Sequence, residues 1–385
     1  MYNFEEGIER RGTNCVKWDV PFITEDVTPM WIADMDFRVA PEITNSLKKV
    51  AEQGAYGYQF LSEKYYDSVV NWMKRRHHYE LSKEEITFVP NVVLGLRFGI
   101  ETVSDPGDEI IIMTPVYGPF YRIVRNSGRV LIESPMKNDH GYYTMDLEDF
   151  EKRITEKTKA VIICNPHNPS GRVWTKEELT KLAKVCIRHH LYILSDDIHS
   201  ELVTRGHKHT FIASVSEEVR DRSIVLTSPS KAFNLASIHL ANCFISNKEL
   251  REKYQKIADK SFAAENSAFV EPVLIAAYDK SEEWLDELNE YIEGNLDFFV
   301  DFINREIPDL EVRKPEGTYL VWVNFAKTGI PEESLKEYLL KECQVAVNEG
   351  EFFGKEGAGF VRFNLACPRR SIKVVLEKMK EKFVL

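Results

Sequence analysis

AVIICNPHNPSGRVWTKEELTKLAKVCIRHHLYILSDDIH, residues 160–199, decides the architecture. It opens on a short apolar run, Ala160–Cys164, passes through a turn rich in Asn, Pro and Gly, and continues into a helical pattern, Lys176–His189. It closes on a second apolar run, Tyr192–Ser195. Short apolar runs bounded by turn residues read as buried strands. A strand, a helix and a second strand in succession make a parallel crossover unit. Working outward, the same alternation recurs. Strands are predicted at Glu85–Val89, Glu109–Met113, Val130–Glu133, Ile224–Thr227 and Ala241–Ser246, and helices at Val92–Val103 and Pro119–Asn126. The pattern predicts an α/β fold whose sheet is mostly parallel and covered on both faces.

The last hundred residues follow another rhythm. A long charged helical pattern, Trp284–Ile303, precedes a strand (Tyr319–Asn324), a helix (Glu332–Glu342), a strand (Gly359–Leu365) and a final helix (Ser371–Phe383). This predicts a smaller α+β domain. The expected division is a large domain over residues 48–284, and a small domain formed by the N-terminal arm (1–47) with the C-terminal part (285–385).

Composition narrows the function. The chain of 385 residues carries a net charge of −11, which disfavours a nucleic-acid surface, since phosphate binding rewards clustered Lys and Arg. The ten His residues are scattered and show no metal-ligand spacing. The six Cys residues are far apart and form no C-x-x-C, which reads as free thiols in a reducing compartment. The N-terminal MYNFEEGIERR does not read as a signal peptide. No apolar run approaches the roughly 20 residues needed to span a bilayer. The expectation is a cytoplasmic protein without membrane or nucleic-acid partners.

In an open α/β sheet, ligands bind beyond the carboxyl ends of the strands. Four polar segments lie there: TPVYGPF (114–120) after Met113, NPHNPSGR (165–172) after Cys164, DDIH (196–199) after Ser195, and SPSKAFN (228–234) after Thr227. Singly, each has an ordinary explanation. Asn and Pro make turns, an Asp caps a helix, and a lone Lys is usually a solvated charge. Their joint occurrence at successive strand ends is what singles them out.

Taken together, NPHNPSG, SDDIH and SPSK resemble fold-type I pyridoxal 5′-phosphate (PLP) enzymes, the aspartate aminotransferase superfamily, over nearly the whole chain. Within it the sequence most resembles the MalY/PatB-type cystathionine β-lyases. MWIADMDF (30–37) is similar to their N-terminal signature. His199 stands where typical aminotransferases carry Tyr. His239, eight residues after Lys231, stands where they carry a phosphate-binding Arg.

The resemblance implies PLP as cofactor, held by Lys231 as a Schiff base, with Lys231 then serving as base at Cα. It implies Asp196 as partner of the pyridine nitrogen, His199 supporting the ring through Asp196 or the phenolic oxygen, and Asn168 hydrogen-bonded to that oxygen. Asn165 is expected to shape the turn, and Asp197 to cap a helix. Tyr117 is expected to stack on the ring, with Gly118 leaving room beside it. The phosphate is expected on the amides of Val92 and Val93, on Ser228 and Ser230, and on Tyr58 donated by the neighbouring subunit of a homodimer with shared active sites. Arg362 is the implied fork for the substrate carboxylate, with Ala33 and Asn168 also on the substrate side. Lys231, Tyr58 and Tyr117 are the implied catalytic residues. The activity implied is C–S β-lysis of L-cystathionine or a related S-substituted cysteine to thiol, pyruvate and ammonia. Two alternatives stay open: a PLP-dependent aminotransferase of class I/II, and an enzyme doubling as a regulatory protein that binds a transcription activator.

Overall fold

The computed structural model describes residues 2–263 and 265–384. Seven strands form one sheet: β1 (Ile86–Val89), β2 (Glu109–Thr114), β3 (Val130–Pro135), β4 (Thr158–Cys164), β5 (Tyr192–Asp196), β6 (Ser223–Thr227) and β7 (Ala241–Phe244). Their spatial order is β1-β7-β6-β5-β4-β2-β3. From β6 to β3 every pairing is parallel, as the strand–helix alternation predicts. Strand β7 runs antiparallel to both its neighbours. The reason is the connection. Residues 228–240 carry only a 3-10 turn, Ala236–Ile238, and a parallel return needs a longer crossover, usually a helix. The chain therefore turns back into β7 at the end of the sheet where β6 stops.

Alternation along the strands gives the sheet two buried faces. Ile111, Val161, Ile163, Ile193 and Val225 join one core cluster. Ile110, Ile112, Ile162, Leu194, Ile224 and Leu226 join the other. Helix α1 (Val92–Val103) lies on the second face. It lies close because two of its residues have no side chain. A Cβ on Gly95 would stand 2.1 Å from Leu226 Cδ2, and one on Gly99 would stand 2.3 Å from Leu194 Cδ2. The helix is started by Asn91, whose side chain accepts a hydrogen bond from the Leu94 amide at 2.8 Å. That cap follows directly on β1, at the end of the sheet where β6 finishes and β7 begins.

A second, antiparallel sheet has the order β8-β9-β11-β10, with β8 (Glu311–Val312), β9 (Leu320–Asn324), β10 (Asn348–Glu349) and β11 (Phe360–Asn364). On β11, Arg362 pairs across to Trp322 on one side and Asn348 on the other. The N-terminal arm runs beside this sheet. Thr28–Pro29 pairs with Val345–Ala346, and the Asn364 amide donates to Met30 O at 2.9 Å. The expected domain borders, 48 and 284, both fall inside helices, Pro41–Gln53 and Glu282–Glu306. Among the described residues no helix is long and apolar enough to cross a membrane.

The close seat of α1 is open to test. Gly99→Val forces a branched side chain against Leu194 and is expected to lower stability by about 1–3 kcal/mol, as overpacked cores do. Urea unfolding with an unaltered midpoint would show that α1 can lift away from the sheet without penalty.

Candidate active site

Lys231 lies in the loop that leaves β6. Its Nζ donates to Ala33 O at 2.7 Å, and the Tyr319 hydroxyl donates to the same carbonyl at 3.0 Å. Burial is the main cause that brings the Lys231 amine down to about 8; Asp34 opposes this, Arg362 adds to it, and Asp196 opposes it. An amine near that value is partly unprotonated at neutral pH and can act as nucleophile and as base.

Asp196 ends β5, in register with Cys164 on β4 and Leu226 on β6. Its side chain is buried, and the carboxyl is pushed up to about 7 by burial, against the Ile198 amide and Lys231. The Ile198 amide donates to Asp196 Oδ1 at 3.1 Å. A cation set against this carboxyl would restore its ionised form. His199 is buried, and its Nδ1 has no hydrogen-bond partner. Burial holds its imidazole well below the ordinary value. No hydrogen bond joins it to Asp196 among the described residues, so a route to the ring through that carboxylate is absent here.

Asp197 is not a helix cap, because no helix follows β5 there. Strand alternation turns it to the opposite face from Asp196. Its Oδ1 lies 2.9 Å from His209 Nε2, and both residues are buried. Burial pushes the Asp197 carboxyl up and the His209 imidazole down. Behind His209 stands His77, with ring centroids 5.7 Å apart, and His77 Nε2 lies 2.6 Å from Glu201.

Arg362 is 3% exposed. Nη1 donates to Asn168 Oδ1 at 2.9 Å, and Nη2 donates to Trp31 O at 2.8 Å and Asn348 Oδ1 at 2.6 Å. Nε is buried without a partner. Every acceptor it has is neutral, and burial brings the guanidinium down to about 10. A buried guanidinium surrounded by carbonyls and amides is a site for an incoming carboxylate. Asn165 shapes the turn as expected. Its Oδ1 accepts from the Trp174 amide at 3.1 Å, and its Nδ2 donates to Thr210 O at 3.0 Å.

Val92 and Val93 are the first residues of α1, where amides have no carbonyl within the helix to bind. Ser228 is less available than its position suggests. Its hydroxyl donates to Leu240 O, accepts from the Ser230 amide at 3.0 Å and lies 2.8 Å from the Ser230 hydroxyl, so the two serine hydroxyls are held to each other. Tyr117 follows β2, with its ring centroid 6.5 Å from that of Phe352. Gly118 does not leave open room beside it. A Cβ there would meet Phe352 O at 2.6 Å, so the missing side chain admits the Phe352 segment. Tyr58 is 99% exposed, and one chain alone does not bring it to the other residues. A cleft of about 770 Å³ lies against the N-terminal arm and meets this site through Asp34 and Asn234. Charge, rather than cleft size, marks the site.

Sequence reasoning missed what holds Ala33 in place. Asn234 accepts from the Met35 amide at 3.0 Å and donates to Met35 O and Phe37 O at 2.9 and 3.1 Å. Below the loop lies an ionic quartet. Lys17 Nζ is 2.8 Å from Asp36 Oδ2 and 3.4 Å from Asp34 Oδ1, and Arg10 reaches Asp34 at 2.8 Å and Asp36 at 3.2 Å. Burial alone would lower the Lys17 amine, but Asp36 and Asp34 outweigh it and hold it above its ordinary value. Two acids inside the otherwise apolar MWIADMDF were the available signal, because buried carboxylates require partners. Lys17→Met would leave the two acids short of a cation. It is expected to lower stability by about 3–5 kcal/mol, the usual consequence of breaking a buried pair from one side. A urea midpoint equal to wild type would show that Arg10 alone compensates both acids.

Comparison with known proteins agrees with this geometry. Residues 32–379 match the family Aminotransferase class I and II. Cystathionine beta-lyase PatB of Bacillus subtilis (strain 168) is 37% identical over 382 residues, covering 98% of this chain and 99% of PatB. Protein MalY of Escherichia coli (strain K12) is 30% identical over 379 residues, covering 97% and 96%. Among solved structures, cystalysin from Treponema denticola, which contains a pyridoxal 5′-phosphate cofactor, superposes with a TM-score of 0.94 at 34% identity, over 99% of this chain and 98% of cystalysin. With Lys231, Asp196 and Asn168 at the strand ends, Arg362 bonded to Asn168 from β11 and the match running nearly end to end, the chain belongs to the class I and II aminotransferase family and groups within it with PatB and MalY.

Proposed function

We propose that the chain is a PLP-dependent C–S β-lyase acting on L-cystathionine or a related S-substituted cysteine. The observation that carries this reading is Arg362, a buried guanidinium with only neutral acceptors, in one site with the depressed amine of Lys231. The first calls for an amino-acid carboxylate and the second for amine chemistry. The lyase is favoured over an aminotransferase because the proteins similar over nearly the whole chain include a cystathionine beta-lyase at 37% identity and a PLP-bound C–S lyase at 32%, beside a putative aminotransferase at 40%. No observation favours a regulatory partner.

The residues present fit the cofactor. Asp196 is a buried carboxyl in want of a cation, His199 Nδ1 is a buried atom in want of a partner, and the start of α1 offers amides suited to a phosphate. Asp196 would hold the pyridine nitrogen, with Val92, Val93 and Ser230 at the phosphate, Tyr117 on the ring face and Asn168 at the phenolic oxygen. PLP, when bound, supplies an electron sink for the pair left at the substrate Cα. The chain's own residues do the rest. Arg362 and Asn168 fix the α-carboxylate, which orients the Cα–H bond. Lys231 takes the Cα proton and the Cβ–S bond breaks, so the sulfur leaves as thiolate. Hydrolysis of the remaining three-carbon fragment yields pyruvate and ammonia. The six unpaired cysteines suit a reducing compartment, and we place the protein in the cytoplasm.

We further propose a two-fold homodimer whose sites each receive Tyr58 from the other subunit. Tyr56, Tyr58 and Phe60 are 58%, 99% and 85% exposed, and large rings exposed along one short segment mark an interaction face. An isologous interface completes both sites at once.

Three experiments bear on these proposals. Purified protein given L-cystathionine without any 2-keto acid should release pyruvate and thiol in equal amounts, and Lys231→Ala should release neither. Amino transfer dependent on a keto acid, with no thiol, would replace the lyase with the aminotransferase. The rate at which cofactor-free protein takes up PLP should rise with pH through about 8 and level off above it, because only the unprotonated amine attacks. A rate flat from pH 6 to 9 would place the covalent link on another group. Mixing Tyr58→Ala with Lys231→Ala under subunit exchange should restore part of the activity, since a heterodimer then holds one intact site. No recovery despite proven exchange would put Tyr58 outside the partner's site.

A further inference from the structure

A second cleft, of about 400 Å³, begins at Gly118, the residue after Tyr117. One wall is helix α2 (Pro119–Asn126) with the residue before it, contributing Gly118, Arg122 and Arg125. The other is the 3-10 turn Gly350–Phe353, contributing Glu351 and Phe352. The turn is tied to both halves of the proposed active site. Phe353 O accepts from the Val116 amide and the Tyr121 hydroxyl, each at 2.8 Å. The Phe353 ring lies under the Arg362 guanidinium at 4.9 Å. The two walls meet where Phe352 covers Gly118, with the Phe352 ring centroid 6.5 Å from that of Tyr117.

Two of the three charges in this cleft are uncommitted among the described residues. Arg122 and Glu351 are exposed, and neither makes an ion pair among the described residues. Arg125 rests over the Tyr121 ring at 5.9 Å and comes only to 3.9 Å from Glu133. Arg122 and Arg125 stand three residues apart in α2 and so share one face of it. Two cations on one wall and an acid on the other can receive a group carrying both charges, its carboxylate to Arg122 and its ammonium to Glu351. A simple alkyl thiol has no use for either. The Gly118–Phe352 contact also gives the glycine a purpose, since a side chain there would push the two walls apart.

We propose that this cleft is the subsite for a zwitterionic leaving group, the distal amino-acid end of a substrate of the cystathionine class, with Arg122 and Glu351 as specificity-determining residues and Arg125 in support. The inference rests on the lyase reading above. It makes the enzyme selective for thioethers joining two amino acids over S-alkyl cysteines of similar length.

The test measures kcat/KM of the PLP-loaded enzyme for L-cystathionine and for S-ethyl-L-cysteine, which shares the reacting carbon and sulfur and lacks the distal charges. Wild type should prefer cystathionine. Arg122→Gln and Glu351→Gln should each reduce the ratio of the two kcat/KM values about tenfold, mainly through KM for cystathionine, as loss of a charge-assisted contact to a remote group does. A ratio retained in both variants overturns the subsite while leaving the lyase reading intact. Should wild type release pyruvate from neither compound, the lyase reading falls, and the subsite is judged by affinity alone. In that case cystathionine, titrated against the cofactor's visible absorbance, must bind more tightly than S-ethyl-L-cysteine and lose that advantage in the two variants; equal affinities overturn it.

Discussion

Removal of charged groups from water governs this molecule. Asp196 and Arg362 are buried and Lys231 is largely so, and burial is the leading cause of displacement for each. Burial disfavours whichever form is charged. It therefore lowers the lysine, raises the aspartic acid and lowers the arginine, moving all three toward neutrality. A site in that condition has poor partners within itself and good ones for a ligand that brings complementary charge. The same constraint accounts for Lys17, Arg10, Asp34 and Asp36, which are also largely withdrawn from water but closed into a neutral quartet. One set of charges is compensated by the fold, and the other awaits a ligand.

The architecture brings these groups together by simple means. Parallel strands end on the same side, so register alone sets Cys164, Asp196 and Leu226 abreast. The reversal into β7 returns the Lys231 loop to that side. Glycines 95 and 99 lower α1 onto the sheet and bring its first amides to the same level. From the other side, β11 presents Arg362, and the N-terminal loop presents the carbonyl of Ala33. Neither sheet carries the whole site, so its geometry depends on the contacts that fix the N-terminal loop and the Gly350–Phe353 turn between them.

Most of the fold and much of the candidate site were legible in the sequence. Helices Val92–Val103, Pro119–Asn126 and Glu332–Glu342 stand where periodicity predicts them, because their apolar spacing and bounding turn residues are local signals. Lys231, Asp196 and Asn168 stand at successive strand ends, where their motifs place them, whereas Arg362 was expected from the family resemblance alone and bonds to Asn168. Local reasoning failed where two distant segments meet. Asp197 reads as a cap until His209 appears beside it. Gly118 reads as open space until Phe352 fills it. Ser228 reads as a free hydroxyl until Leu240 takes its hydrogen.

The sequence by itself determined the order of strands and helices, the turn chemistry at the strand ends and the residue types available there, since these depend on neighbours a few positions away. The tertiary structure decided which charges are compensated. Lys17 lies between acids some twenty residues further along the chain, whereas Arg362 is surrounded by carbonyls and amides drawn from three separate segments. Burial and pairing are properties of space rather than of sequence. A buried charge is structural or functional according to what the folded chain places within hydrogen-bonding reach of it.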